Sequence, residues 1–242
     1  MDSSILLREL DLVLWTVANV ATLINSVITL RNALDKRIDK TQRQANLAWS
    51  LYFLSMFIAN TLNIVWRLYV LDLYGPDAAL LVEKISMLML NCGWLIIIGY
   101  FDLRMKMLDR PYFLYAIATS LIVSLITSFH SGGWLEIVYF IITAIGFSLF
   151  PLLFIYMGRK SEGEFRKNSH RIAAGAIIFG LGLFLQVQNV EPFAPQVVEF
   201  FDNQIGIPYF VVSPIFIFIS MVLLCLGIWK IYLVNIEFEE AA

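Results

Sequence analysis

A charged pair interrupts an otherwise apolar stretch of the chain. In LLVEKISMLML, residues 80–90, Glu83 and Lys84 adjoin each other among side chains that suit a membrane interior or a buried core. Ionisable groups are costly in such surroundings and usually face a protein interior or a water-filled cavity. The chemistry that they offer there is ion pairing with one another and hydrogen bonding to a small polar ligand.

No motif for catalysis or for metal binding accompanies this pair. The two histidines, His130 and His170, fall in connections on opposite sides of the predicted bundle, so they cannot share a metal ion. The sequence contains no GxSxG, no HExxH and no glycine-rich phosphate loop. No residue pattern favours an enzyme, and we predict neither a metal nor another cofactor.

The composition indicates an integral membrane protein. Of the 242 residues, 60% are hydrophobic and only 15% are charged, whereas soluble domains carry about 25% charged residues. Cys92 and Cys225 both lie in apolar runs, where cysteines are typical packing residues rather than parts of a disulfide framework. The elements that position the charged pair must therefore be helices in a bilayer.

Seven apolar stretches are long enough to cross a hydrocarbon core about 30 Å thick, which needs roughly 20 helical residues. Backbone groups in lipid must be satisfied internally, and these stretches are too long for barrel strands. The sequence therefore predicts an all-α integral membrane protein, a seven-transmembrane helix bundle that forms one domain over residues 1–242. The predicted spans are residues 11–31, 47–71, 79–101, 111–129, 134–157, 171–190 and 207–234.

The distribution of basic residues predicts the orientation. Of the 17 Lys and Arg residues, all but Arg8, Arg67 and Lys84 fall in the connections after spans 1, 3 and 5 or in the C-terminal tail. Basic residues near span ends accumulate on the cytoplasmic side. We therefore predict that the N-terminus is outside and that the C-terminus is cytoplasmic.

A set of polar residues shares the outer layer of this predicted bundle. Glu83 and Lys84 lie roughly 6–8 Å below the outer end of span 3. Two interpretations fit. In one, the set lines an outward-facing pocket that binds a ligand; in the other, the basic residues reach the outer headgroups and Glu83 pairs with one of them. The candidate ligand-binding residues are Arg67, Glu83, Lys84, Asn91, Glu136 and Gln186.

The outer connection from 190 to 206 is longer than the inner ones and contains PQVVEFF. Pro195 is suited to the first position of a short helix. Val197, Val198, Phe200 and Phe201 could form one apolar face of that helix, which would then lie flat at the membrane interface or cover the bundle. An ordinary loop with a turn of helix is the alternative.

The plan of the chain allows a comparison with known seven-span families. A retinal protein is not expected, because Lys230, the one lysine of span 7, lies at the cytoplasmic end of that span. Spans 1 to 3 contain no proline that would match Pro151, Pro208 and Pro214 of the later spans, so the repeats of sugar-transporting SWEET proteins are not found. The plan resembles that of seven-helix receptors and of the membrane sensor modules of prokaryotic signalling proteins.

This resemblance, together with polar groups that cluster on one side, implies a receptor-like sensor. We expect it to bind a small molecule from the outer side and to signal through its cytoplasmic loops to a separate partner. The inner half of the bundle offers only Asp102 near its boundary, whereas a carrier must open a polar site to both sides. A transporter or channel for a small solute or ion is the alternative, and a membrane-embedded enzyme comes third.

The expected surroundings follow from the same features. The lipid bilayer is the predicted environment, most simply the plasma membrane, and the basic inner loops would contact anionic headgroups or a cytoplasmic signalling protein. Ala176 and Gly180 in span 6 form a small-xxx-small pair, which favours close helix packing or, alternatively, a homodimer. No feature predicts a nucleic-acid partner.

The predicted orientation can be tested by labelling with a membrane-impermeant thiol reagent. In a background without Cys92 and Cys225, Ser131→Cys should react when the reagent is added outside intact cells. Ser161→Cys should react only after the membrane is permeabilised. The reverse pattern would show that the orientation is inverted.

Overall fold

The described part of the chain is helical. The computed structural model describes residues 3–65, 71–105, 109–127, 133–186, 195–206 and 209–228, and no strand occurs among them. A π-helical turn, Phe200–Ile205, directly follows the short helix Pro195–Glu199. The helices are α1 (Ser3–Leu34), α2 (Lys40–Val65), α3 (Leu71–Tyr74), α4 (Pro76–Met105), α5 (Tyr112–Ile126), α6 (Trp134–Phe147), α7 (Leu149–Lys160), α8 (Gly163–Gln186), α9 (Pro195–Glu199) and α10 (Tyr209–Ile228).

The predicted helical membrane protein is confirmed at the level of its long helices. Helix α5, Tyr112–Ile126, is apolar but shorter than the other long helices: its 15 residues have a length of about 22 Å. Among the described residues, six stretches are long and apolar enough to cross a membrane: Glu9–Leu34, Lys40–Val65, Leu80–Arg104, Trp134–Lys160, Gly163–Leu185 and Val211–Ile228.

The long helices form a ring in chain order. Helix α1 packs against α2, α2 against α4, α4 against α5, and α5 against α6. The ring continues from α7 to α8 and from α8 to α10, and it closes where α10 packs against α1. Long helices that follow one another in the chain are antiparallel, with α6 and α7 together forming one of them. Helix α1 therefore begins at one end of the bundle, called here the N-terminal end, and α10 ends at the opposite, C-terminal end.

Helices α8 and α10 approach each other closely at glycine and serine residues. Ser213 Oγ donates a hydrogen bond to the carbonyl oxygen of Gly182, and Ser220 Oγ donates to that of Gly175, both at 2.8 Å. A Cβ atom on Gly182 would lie 2.8 Å from Ile217 Cδ1. Gly175 and Gly182 of α8 are therefore used for packing inside the chain.

Aromatic side chains from five helices fill the centre of the ring. Trp49 of α2 stacks on Phe53 at 5.6 Å and lies 5.3 Å from Phe150 of α7, measured between ring centroids. Phe147 lies 5.5 Å from Trp94 of α4 and 5.6 Å from Phe179 of α8. Aromatic pairs at these separations favour edge-on and offset packing. The aromatic cluster consists of Trp49, Phe53, Trp94, Phe101, Phe147, Phe150, Phe154 and Phe179.

The span from Trp134 to Lys160 is interrupted at Ser148, between α6 and α7. Pro151 lies three residues further and has no N–H to donate, so the helical hydrogen-bond ladder is incomplete there. Ser148 Oγ donates to the carbonyl oxygen of Ile145 at 2.6 Å, in the turn before Pro151. The interruption therefore lies where a proline inside a helix is expected to disturb the hydrogen bonds.

The connections differ between the two ends of the bundle. At the N-terminal end, α9 begins at Pro195 as predicted, and the π-helical turn after it ends at Gly206, whose φ of 70° suits glycine. At the C-terminal end, hydrogen bonds from the Arg37 side chain and backbone lower the pKa of Asp35 to about 2. Asp39 caps α2 by accepting the Thr41 N–H at 2.8 Å, and this bond lowers its pKa.

Gly93 should be essential for the contact between α2 and α4. A Cβ atom there would lie 2.9 Å from Ser55 Cβ and 3.3 Å from the backbone oxygen of Tyr52. We expect Gly93→Ala to lower the free energy of unfolding in detergent by about 1–3 kcal/mol, because neither neighbour can move easily. Gly180→Ala is the matched control, since its nearest atom, Phe147 Cε1, is 3.7 Å away. An equal effect of both changes would contradict this account.

Candidate functional site

Glu83 faces the interior of the bundle. Its side chain is only 4% exposed, and it shares a helical face with Leu90, Trp94 and Phe101, the last two of which belong to the aromatic cluster. Glu83 therefore does not face lipid headgroups or water. Lys84, the neighbouring residue, is half-buried.

The structure describes the side chains of four of the six predicted ligand-binding residues. Arg67 lies outside the described residues, and so does the side chain of Gln186, although its backbone ends α8. Glu136 of α6 is 1% exposed, so it is buried in the protein as Glu83 is. Asn91 is completely buried, but it lies eight residues beyond Glu83, about 12 Å along α4.

Asn91 is the centre of a hydrogen-bonded network that joins three helices. Its Nδ2 donates to Tyr139 Oη of α6 at 3.1 Å and to the Met87 carbonyl oxygen at 2.9 Å. Its Oδ1 accepts a hydrogen bond from Ser120 Oγ of α5 at 3.1 Å. Ser120 Oγ also lies 2.6 Å from Thr143 Oγ1. Because its oxygen and both of its N–H groups are used, Asn91 serves the packing of α4, α5 and α6.

Sequence reasoning missed three members of this network, which are Ser120, Tyr139 and Thr143. A signal was present in α6, where the buried residues Glu136, Tyr139, Thr143 and Gly146 recur at helical spacing and the rest of the helix is apolar. In a membrane helix, such a polar stripe marks the face that is turned towards other helices. The predicted site therefore divides into the network around Asn91 and a separate group nearer the N-terminal end.

That separate group is formed by α1, α2 and α4. Trp15, Asn19, Asn60 and Glu83 are all at least 94% buried and lie on inward faces of these helices. Asn19 Nδ2 donates to Thr61 Oγ1 of α2 at 2.9 Å. We call Trp15, Asn19, Asn60 and Glu83 the polar layer. It lies on the N-terminal side of the aromatic cluster, and it combines one carboxylate with amide and indole groups.

Asp102, the acidic residue expected near the other boundary, has a structural role. Its Oδ2 accepts a hydrogen bond from the backbone N–H of Leu114 at 2.8 Å, in the first turn of α5. The N-cap residue of α5 is Pro111, which has no polar side chain. Asp102 of α4 therefore caps the neighbouring helix, where a negative charge is also favoured by the helix dipole.

Two small cavities lie in the C-terminal half of the bundle. One, of about 20 Å³, is lined by polar Gln42 and Asn46 and by Trp49 of the aromatic cluster. The other, of about 10 Å³, lies beside Asn25 and Thr29 of α1. A cavity needs about 10–15 Å³ to hold one water molecule. These cavities suit single waters and no larger ligand.

Neither a metal site nor a relative indicates a function. Within the described ranges, no group of three or more His, Cys, Asp or Glu side chains could hold a metal ion. The sequence matches no protein-family model, and no curated protein and no solved structure is significantly similar to it. Since the network around Asn91 holds helices together, the polar layer is the candidate site.

The network around Asn91 should contribute measurable coupling between α4 and α5. Asn91→Leu and Ser120→Ala, combined in a double-mutant cycle of unfolding in detergent, should show coupling of about 0.6–1.7 kcal/mol, which is the range for polar contacts between membrane helices. Ser124→Ala is the control, because Ser124 Oγ donates to Leu121 O in its own helix at 2.7 Å. Equal coupling for Ser120 and Ser124 would show that the network is not formed.

Proposed function

We propose that the protein is a seven-helix, receptor-like membrane sensor that binds a small molecule from the outer side. The supporting observation is the polar layer. Trp15, Asn60 and Glu83 reach the interior from three helices, and the aromatic cluster closes the bundle beneath them. Sites for small molecules are typically lined by apolar side chains together with a few polar groups that converge. Access from one side distinguishes a receptor from a carrier.

The proposal includes α5 as the seventh span. This helix packs between α4 and α6, both of which belong to membrane-spanning stretches. Its exposed residues Ile122, Leu125 and Ile126 are apolar, as a lipid-facing surface requires. On the neighbouring span, exposed Trp134 and Tyr156 are 22 residues apart, a distance of about 33 Å that suits aromatic residues at the two membrane interfaces.

The proposed orientation places the C-terminal end of the bundle in the cytoplasm of a cell whose plasma membrane holds the protein. Exposed basic residues, including Arg37, Arg159, Arg166 and Lys167, lie at that end. Lys160 Nζ lies 4.8 Å from the centre of the Tyr156 ring, so a basic and an aromatic group share the boundary. Anionic lipid headgroups and a cytoplasmic signalling protein are the partners that this surface suits. A homodimer is compatible with the proposal but not required by it.

A route for the signal runs through the aromatic cluster to the break at Ser148. Trp94 lies three turns along α4 from Glu83 and contacts Phe147, the residue directly before the break. Gly158, further along α7, lies against the ring of His170 at the start of α8. A ligand that displaces α4 would therefore move α7 against α8, and small helix shifts of this kind are a common switching mechanism.

A carrier is the second candidate, because one observation favours it. The cavity of about 20 Å³ beside Gln42 and Asn46 is a polar region on the opposite side of the aromatic cluster from the polar layer. In many carriers, two such regions are connected alternately through a gate. The solute would then pass the Trp49 and Phe53 rings.

The test uses a fluorophore that is attached to Ser161→Cys, in the connection between α7 and α8, and the protein reconstituted in liposomes. A library of sugars, amino acids, amines and amides is added outside. At least one compound should change the fluorescence saturably, and Glu83→Gln should raise the required concentration at least tenfold. Glu9→Gln, which alters an exposed carboxylate at the same end, should leave it unchanged.

Three results would contradict the sensor. The first is that no compound changes the fluorescence. The second is that Glu83→Gln leaves the concentration dependence of the change unaltered. The third is that the active compound, radiolabelled, accumulates inside these liposomes and not inside empty ones. The last result would establish the carrier.

A further inference from the structure

The polar layer contains buried hydrogen-bonding atoms that no protein group satisfies. Trp15 Nε1 and Asn60 Nδ2 are N–H donors without an acceptor, and Asn19 Oδ1 is an acceptor without a donor. Each of these side chains is at least 94% buried. More than nine-tenths of buried polar groups in proteins have a partner. Unsatisfied buried atoms also occur elsewhere, as at Trp94 and Asn168, but in the polar layer two donors and one acceptor lie on two adjacent helices, an arrangement that suits one external partner.

The three side chains occupy nearly the same depth in the bundle. The hydrogen bond between Asn19 and Thr61 places residue 19 of α1 beside residue 61 of α2. Asn60 directly precedes Thr61, and Trp15 lies four residues, about 6 Å, from Asn19. The three residues therefore lie within about 8 Å of one another along the bundle axis.

These side chains also face the same region. Asn60 lies on the face of α2 that carries Phe53 and Met56, which are buried in the core. Trp15 lies on the face of α1 that carries the completely buried Ala18. Ser86 Oγ donates to the Ala59 carbonyl oxygen at 2.9 Å, so α4 and Glu83 are held against the same turn of α2.

We propose that the ligand of this site is a compact uncharged molecule in which a carbonyl oxygen lies beside an N–H group, an amide being the simplest example. This inference rests on the proposed function and names the class of ligand. The carbonyl oxygen accepts hydrogen bonds from Trp15 Nε1 and Asn60 Nδ2. The N–H group of the ligand donates to Asn19 Oδ1.

Charged ligands fit this set of atoms less well. An anion without N–H groups offers only acceptors, so Asn19 Oδ1 would remain unsatisfied. An ammonium group offers only donors, so Trp15 Nε1 and Asn60 Nδ2 would remain unsatisfied. An uncharged amide satisfies both donors and the acceptor, and the apolar side chain of Met56 suits its alkyl part.

The experiment titrates three matched probes against protein labelled with ¹⁵N in its tryptophan indoles and held in lipid nanodiscs. The probes are N-methylacetamide, N,N-dimethylacetamide, which lacks the N–H group, and tetramethylammonium. The Trp15 indole resonance, assigned by its loss in Trp15→Phe, should shift saturably with N-methylacetamide. Binding of the dimethyl compound should be about tenfold weaker, as expected for one lost hydrogen bond. The indole of Trp134, which is 70% exposed, should shift only linearly.

Two variants extend the test. Asn60→Leu should weaken N-methylacetamide binding about tenfold, because one donor to the carbonyl oxygen is lost. Trp134→Phe is the control and should not alter the affinity. The assignment of an amide is overturned if tetramethylammonium alone shifts Trp15 saturably, if the two amides bind equally, or if no probe shifts Trp15 more than Trp134.

The failure of this inference can be distinguished from the failure of the proposed function. If the ligand class is wrong, a compound other than an amide will still change the fluorescence at residue 161 and depend on Glu83. If the sensor is wrong, the amide will bind at Trp15 and the fluorescence at residue 161 will not respond.

Discussion

The bundle depends on the requirement that polar groups inside a membrane find their partners within the protein. Lipid provides no hydrophobic force between helices and no water for their polar atoms, so packing and hydrogen bonds between helices must hold the ring together. Asn25 Nδ2 donates to the Met221 carbonyl oxygen at 2.9 Å and so joins the first long helix to the last. Ser26 and Ser50 exchange hydrogen bonds with each other's carbonyl oxygens at 3.0 Å, which joins α1 to α2.

The same requirement separates structural polar residues from candidate functional ones. Asn91 uses both of its amide N–H groups and its oxygen within the protein, so it serves the packing of the helices. Trp15 and Asn60 are equally buried but have unsatisfied donors. Since leaving a buried donor unsatisfied costs about 1–3 kcal/mol, the structure keeps such atoms at a cost that ligand binding would recover. The polar layer is therefore the better candidate site.

The aromatic cluster relates this layer to the rest of the molecule. It closes the bundle below Glu83 and draws its side chains from five helices, including both helices that meet at Ser148. Rigid rings that interlock at 5–6 Å transmit a displacement instead of absorbing it, because a packed core has few alternative arrangements. The cluster thus forms the inner boundary of the proposed site and connects the site to the basic, C-terminal end of the bundle.

The sequence by itself determined the helical membrane class, the asymmetry of basic charge and the helix that begins at Pro195, because each depends on composition or on residues close in the chain. It also identified Glu83 as unusual. Only the tertiary structure decided that Glu83 faces inwards, that Asn91 bonds to Ser120 and Tyr139, and that Trp15 and Asn60 share a layer. The partners of Asn91 are 29 and 48 positions away. Helical periodicity shows which residues share a face, but the packing of the helices decides what each face meets.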